Sequence, residues 1–331
     1  MRDYSVILGN LGNTRDRFCG GYKNNPDTFT MLRKAAAIPH VKGIELVGTW
    51  DVTPDNAAEM RTTLQDAGVQ CVSIIPDLFT QPLYRKGSFS SPEATVRQSA
   101  IDETKKMAEV ALELGCPLLN LWPGQDGYDY LLAADFMAQR DWFRDGVAAV
   151  AQAFPELRFA LEYKPKEPRC FSYLARMADT LLMCQETGCD NVGVCIDTGH
   201  SYVAGESVGE AIVLAKRAGG GYPDTAGRLF HMHFNDNHGL WDDDMIAGTI
   251  HLTTYLETFY WLDRCGYQAW ISMDQYPYRE EADAAIGESI LWLRHYEGLV
   301  AQHGDHIHQT IAAYDGVSTS RLLRQLLLPQ S

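Results

Sequence analysis

The sequence predicts a (β/α)8, or TIM, barrel with an additional C-terminal helix, and three observations carry that reading. Eight short apolar runs alternate with eight stretches of helical periodicity. Such alternation implies parallel strands joined by right-handed crossovers, and eight repeats are what a closed barrel requires. The last four apolar runs each end in a side chain able to hold a metal: Glu162, Asp197, His233 and Asp274. An open doubly wound sheet is the alternative. Against it, no G-x-G-x-x-G follows the first strand, because Gly9, Gly12, Gly20 and Gly21 are wrongly spaced for a dinucleotide turn.

The apolar runs place strands at 4–8, 43–47, 70–75, 117–121, 158–163, 192–197, 229–234 and 269–273. Helical periodicity falls at 28–37, 54–67, 92–114, 131–154, 172–188, 207–218, 252–266 and 280–298. Two helix starts carry local signals: Ser91-Pro92-Glu93 and Thr53-Pro54-Asp55 each put a hydroxyl cap before a first-turn proline. Residues 1–300 read as the catalytic barrel. Residues 301–331 read as an extension, in which the polar AQHGDHIHQ is a connection and the leucine-rich stretch 311–328 is a helix packed on the barrel or on another subunit.

A chain of 331 residues is long for one domain, yet within the range of barrels with insertions. Its net charge of -15 argues against nucleic acid or an anionic membrane as main partner, since phosphates are neutralised by basic residues. No uninterrupted apolar stretch of about 18 residues occurs, and Met1-Arg2-Asp3 leads directly into the first short strand, so a cytoplasmic location is expected. The eight cysteines are scattered without zinc-ribbon spacing and read as small buried hydrophobes in a reducing compartment.

The candidate site rests on four segments. In EYKPKEPR, strand alternation sends Glu162 and Lys164 to one side, bringing a carboxylate and an ammonium to the barrel mouth, with Pro165 and Pro168 stiffening the exit. A surface ion pair is the simpler reading, but a strand containing Phe159, Leu161 and Tyr163 is an unfavourable place for an unpaired carboxylate. In IDTGH, Asp197 and His200 fit a strand end and the turn after it, with Gly199 letting the backbone bend. In HMHFND, His231 and His233 share one face, and His233, nearer the mouth, is the expected ligand. His231 is expected to be hydrogen-bonded lower in the barrel, while His238 and His251 serve a loop or a helix start. In WDDDM, adjacent Asp242, Asp243 and Asp244 repel one another unless a cation intervenes. These groups suffice for one or two divalent ions, and mixed nitrogen and oxygen donors suit Mn2+, Co2+ or Mg2+.

At these residues the chain resembles a family. EYKPKEPR is similar to the corresponding segment of xylose isomerases, and HFNDNHGLWDDDMIAGTI to the metal loop of L-rhamnose isomerases; the resemblance is best from Glu162 to Asp274, with looser support from LNLWPGQDGYDY. It implies a structural metal on Glu162, Asp197, His233 and Asp274, and a catalytic metal on His200, Asp242 and Asp244 with Asp197 bridging. Glu162, Lys164 and Asp274 are the implied catalytic residues. In two respects the sequence departs: the loop between His233 and Asp242 is one residue longer than the rhamnose isomerase pattern, leaving open which of Asp242, Asp243 and Asp244 bind, and little matches before Leu118. An aspartate at position 274 looks like the aldose isomerases, whereas ketose epimerases of similar type carry glutamate there.

The expected reaction is therefore aldose–ketose isomerisation of an open-chain monosaccharide by metal-assisted hydride shift, with a ketose 3-epimerase or sugar dehydratase using proton abstraction as the alternative. Lys164 is expected at the carbon-1 oxygen, Trp50 and Trp122 beside the migrating hydride, and Gln125, Asp126 and Glu167 at substrate hydroxyls. A metal-dependent endonuclease on a related barrel is disfavoured by the charge. Family habit and the leucine-rich tail suggest a homodimer or homotetramer.

Overall fold

The computed structural model describes residues 2–14, 18–167, 170–218 and 227–328. Pro168 and Arg169 of the EYKPKEPR segment lie outside them. Eight parallel strands close into a barrel: β1 (Tyr4–Ile7), β2 (Val41–Val47), β3 (Gln70–Ile75), β4 (Leu118–Leu121), β5 (Arg158–Glu162), β6 (Val192–Asp197), β7 (Leu229–Phe234) and β8 (Ile271–Met273). Each pairs with its chain neighbours, and β8 returns to β1 through Tyr4↔Ile271 and Val6↔Met273. The fold class expected from the sequence is the one observed.

Strand alternation divides the barrel into two environments. On β5, Phe159 and Leu161 join the main apolar cluster with Ile44, Leu46, Leu119, Val194, Met232 and Phe234, facing the helical ring. The other face of the strands points inward. There a small plug of Leu118, Ala160, Cys195 and Phe230 is packed apart from that cluster, and Ile7, Val47 and Ile75 form a third apolar group with Phe79. The barrel also buries Ser5, Glu45, Ser73, Asn120, Glu162, Asp197, His231, His233 and Ser272. Polar groups so placed are tolerable only when paired, and the interior combines these two small apolar groups with a largely hydrogen-bonded polar cluster.

Two expected helix caps move toward the C-terminus, from Thr53 to Asn56 and from Ser91 to Glu93. The helix after β2 starts at Ala57, with Asn56 before it, and Thr53 instead donates its N–H to the Asn56 side chain at 2.8 Å. The helix after β3 starts at Ala94, and Ser91 Oγ accepts from Glu93 N at 3.3 Å without capping it. The larger correction is at the C-terminus. AQHGDHIHQ is not a connection: one helix runs unbroken from Ala282 to Ala313, and the chain turns only at Tyr314, whose φ of 53° is left-handed, before the final helix Gly316–Leu327. Ile307 and Leu322 are buried in the main apolar cluster, so both helices pack on the barrel's helical ring. None of the helices among the described residues is long and apolar enough to cross a membrane.

Candidate metal centre and substrate cavity

The strand ends converge. Glu162, Asp197, His233 and Asp274, from the ends of β5 to β8, present ligand atoms all within 4.8 Å of one another. Asp197, His200 and Asp242 form a second set with the same spacing, so Asp197 belongs to both. His233 Nδ1 lies 3.2 Å from Glu162 Oε1 and 3.1 Å from Asp274 Oδ2, and His200 Nε2 lies 3.2 Å from Asp242 Oδ2. Asp244, left-handed at φ 50°, lines the cavity beside these groups but stands outside both sets among the described residues.

The electrostatics are those of excess negative charge in a small space. Burial, with Asp242, Asp274 and Glu162 adding to it against His200, lifts the Asp197 carboxyl to about 7. Burial also raises Asp274, and Asp244 is pushed well up by burial and by Asp242 and Asp274. Burial opposes the charge on His200, but Asp197 and Asp242 outweigh it and raise the imidazole to about 9. Asp242 is held low despite burial, because Lys164 and His200 face it. A divalent ion fits this donor set. Three mutually repelling carboxyls gain a counter-charge from it, and His200 Nδ1 and Asp242 Oδ1 are buried without a hydrogen-bond partner.

Neighbouring amides aim the carboxylates. Asn120 Nδ2 donates to Glu162 Oε2 at 2.6 Å, and Asn235 Nδ2 donates to Asp197 Oδ2 at 2.9 Å. Gly199 sits in the short helix Thr198–Val203, with no left-handed bend. What it provides is room: a Cβ there would stand 1.9 Å from Asn235 Oδ1. His231 is, as expected, a buried histidine lower in the barrel, 2.8 Å from Glu45. His251 precedes the helix Leu252–Arg264 and pairs with Asp236 at 2.7 Å.

Above this cluster opens a cavity of about 960 Å3 bordered by Trp50, Phe79, Trp122, Lys164, Glu167 and Tyr276. Phe79 stands edge-on between the two tryptophans, at 5.8 Å and 4.6 Å, making an aromatic wall. Lys164 Nζ lies 2.9 Å from Asp242 Oδ2, contacts the Glu167 carboxylate and sits 5.3 Å over the Trp122 ring. Carboxylates outweigh burial and keep this ammonium charged. Two expected substrate contacts lie elsewhere. Asp126 is fully buried, accepting from Ser88 N at 2.9 Å and Ser90 N at 2.7 Å as well as from both serine hydroxyls. Gln125 donates to the Phe79 carbonyl at 3.3 Å. Both sit in the turn after β4, where a polar sequence gives no sign of which groups the turn folds onto itself.

Sequence reasoning missed Glu45, Asp51 and Tyr276. Asp51, buried on the cavity edge, accepts from Val47 N at 2.9 Å. Glu45 was detectable in principle: it is a lone carboxylate within the otherwise apolar run GIELV, the same signal that marked Glu162.

A model of the xylose isomerase-like TIM barrel family matches residues 32–296. The chain belongs to that family. A xylose isomerase of Thermus thermophilus is 26% identical over 293 residues, covering 84% of this chain and 73% of that protein. A solved L-ribulose 3-epimerase superposes with a TM-score of 0.71 at 16% identity, covering 93% of this chain and 98% of that one. A D-tagatose 3-epimerase-like protein gives 0.67 at 19%, covering 91% and 99%. At these identities both likenesses show the fold alone, a barrel of the same build.

Proposed function

We propose that this chain is a divalent-metal-dependent aldose–ketose isomerase of open-chain monosaccharides. The observation that carries the reading is the sharing of Asp197 between two ligand sets beside a buried, charged Lys164. Asp197 would serve both ligand sets, and cations held there would supply positive charge, beside the Lys164 ammonium, toward adjacent oxygens of a polyhydroxy chain. The similarity to the Thermus thermophilus protein named xylose isomerase supports it, and the cavity volume lies within the usual range for small-molecule sites.

When bound, the cation supplies Lewis acidity toward a carbonyl and a template for neighbouring hydroxyls. Lys164 offers a proton donor and fixed positive charge to oxygen at carbon 1 as negative charge develops there. Asp242 and Glu167 hold the ammonium in place. Trp50, Phe79 and Trp122 present a water-excluding face along which hydrogen passes between carbons 1 and 2. Mixed nitrogen and oxygen donors favour Mn2+, with Co2+ and Mg2+ as substitutes.

Hydride shift is preferred over proton abstraction because every carboxylate lining the cavity except Asp244 is already a candidate ligand or engaged in a hydrogen bond or ion pair. Glu162, Asp242 and Asp274 belong to the ligand sets, and Asp244 lies beside them. Glu167 pairs with Lys164, Asp51 accepts from Val47, and Asp27 accepts from Thr30. The test is to incubate Mn2+-loaded protein with a panel of aldoses and ketoses in deuterated water. Isomerised product retaining its own hydrogen at the transferred position is expected. Solvent deuterium at carbon 3 of a ketose would replace this reading by the 3-epimerase, and absence of both conversion and metal binding would overturn it.

A further inference from the structure

We propose that Glu45, a residue of β2 outside the two strand-end ligand sets and itself within 4.8 Å of His231 and His233 in a deeper cluster, is the positioning residue that makes His233 a metal ligand, by fixing which ring nitrogen carries its proton. The inference rests on the metal-site reading above and concerns a residue too deep in the barrel to touch substrate.

Glu45 is fully buried and faces four donors on three other strands of the barrel. Its Oε1 takes His231 Nε2 at 2.8 Å and the Ser272 hydroxyl; its Oε2 takes the Ser73 hydroxyl and His233 Nε2 at 3.3 Å. The register enforces this meeting, since Glu45 lies opposite Ser73 on β3 while His233 lies opposite Ser272 on β8. A carboxylate so surrounded only accepts, and therefore His233 Nε2 must donate. With the ring neutral, that leaves Nδ1, which faces Glu162 and Asp274 and pairs with them here, as the nitrogen whose lone pair would go to a cation in place of a proton. His231 and the two serines satisfy the other lone pairs of Glu45. The carboxylate is thus held against His233 rather than free to rise into the ligand cluster.

Glutamine at position 45 keeps the shape and breaks the logic. Turned one way, its NH2 faces His233 Nε2, which must then accept, moving the ring proton to Nδ1 where the cation belongs. Turned the other way, it faces His231, and the charge supporting His233 is still gone.

The experiment titrates wild-type and Glu45→Gln proteins with Mn2+ by calorimetry, with thermal melts of both in chelator. The expected result is a variant melting close to wild type, with Mn2+ affinity at the tighter site weaker by about 10–100-fold. Unchanged affinity in the variant overturns this proposal alone, whereas a wild-type protein that takes up no Mn2+ overturns the metal reading and this proposal with it. Should Glu45→Gln fail to fold, the wild-type protein loaded with diamagnetic Mg2+ gives the answer. Its long-range 1H–15N spectrum is expected to show His233 protonated on Nε2 and bare on Nδ1, a signature that a merely structural contact does not require. The opposite tautomer overturns the proposal.

Discussion

Lys164 and Asp242 form the closest cross-loop ion pair of the cavity, 2.9 Å between Nζ and Oδ2, and Asp242 is at once a member of the cation set with Asp197 and His200. With a cation bound, one carboxylate would therefore answer to two positive charges, one covalent to the chain and one delivered by solvent. Replacing Lys164 by Met is expected to lower kcat by about 100- to 1,000-fold, the loss typical of removing a single donor to a developing oxyanion. Cation binding should stay intact or tighten, because a competitor for Asp242 has gone. Steady-state kinetics beside calorimetry on the same preparation would separate the two effects. Metal loss in parallel with activity would contradict this assignment of Lys164.

Asp197 is common to both candidate ligand sets, so Asp197→Asn should lower metal occupancy at both together. With several kcal/mol of charge stabilisation removed, turnover is expected to fall by a factor on the order of 1,000. Metal content after gel filtration checks the first effect. For wild type, chelation should reduce stability, and Mn2+ at about 100 times its dissociation constant should add about 2.7 kcal/mol. A melting temperature indifferent to chelator and to Mn2+ would refute cation binding.

Asp51 gives a pH-dependent prediction free of the metal ligands. Burial lifts its carboxyl to about 7, against the Val47 N–H, which favours the charged form. In the unfolded chain an aspartate titrates near about 3.9. Between those values the folded protein binds more proton than the unfolded one, so Asp51 contributes most below about pH 4 and its contribution is lost as pH rises through 7. Asp51→Asn has no such loss. The stability difference between variant and wild type should therefore shift in the variant's favour by up to about 4 kcal/mol from pH 4 to pH 8. Urea unfolding in chelator at several pH values measures it, and a constant difference would disprove it.

Asp126 supplies a control. Alanine there leaves the buried N–H groups of Ser88 and Ser90 and their hydroxyls without an acceptor, which should cost about 3 kcal/mol or more of stability. Activity per folded molecule, measured well below the melting transition, should persist. A raised KM with unaltered stability would return Asp126 to the sugar-binding role its sequence position suggested.

The barrel and the convergence of four strand-end side chains were legible because they follow two simple periodicities. Strand alternation on β5 separates Phe159 and Leu161 from Glu162, and the recurrence of a ligand at four successive strand ends is hard to produce without a common focus. What escaped was set by long-range contact. AQHGDHIHQ looks like a loop because a mostly exposed helix segment has little apolar stripe, and here Ile307 carries its buried side. Glu45 escaped because its partners come from β3, β7 and β8, an encounter visible only once the barrel closes. Asp126 was misjudged for the converse reason: its partners Ser88 and Ser90 belong to the preceding βα loop.

Gly199 brings the smallest side chain into the most sensitive spot. Its missing methyl is the space that Asn235 occupies while steering the Asp197 carboxylate. Even alanine at this position would evict that amide, so damage would reach the cations without any ligand having changed. For anyone reshaping the pocket toward a new sugar, variation belongs on the aromatic wall and the outer loops, with position 199 left untouched.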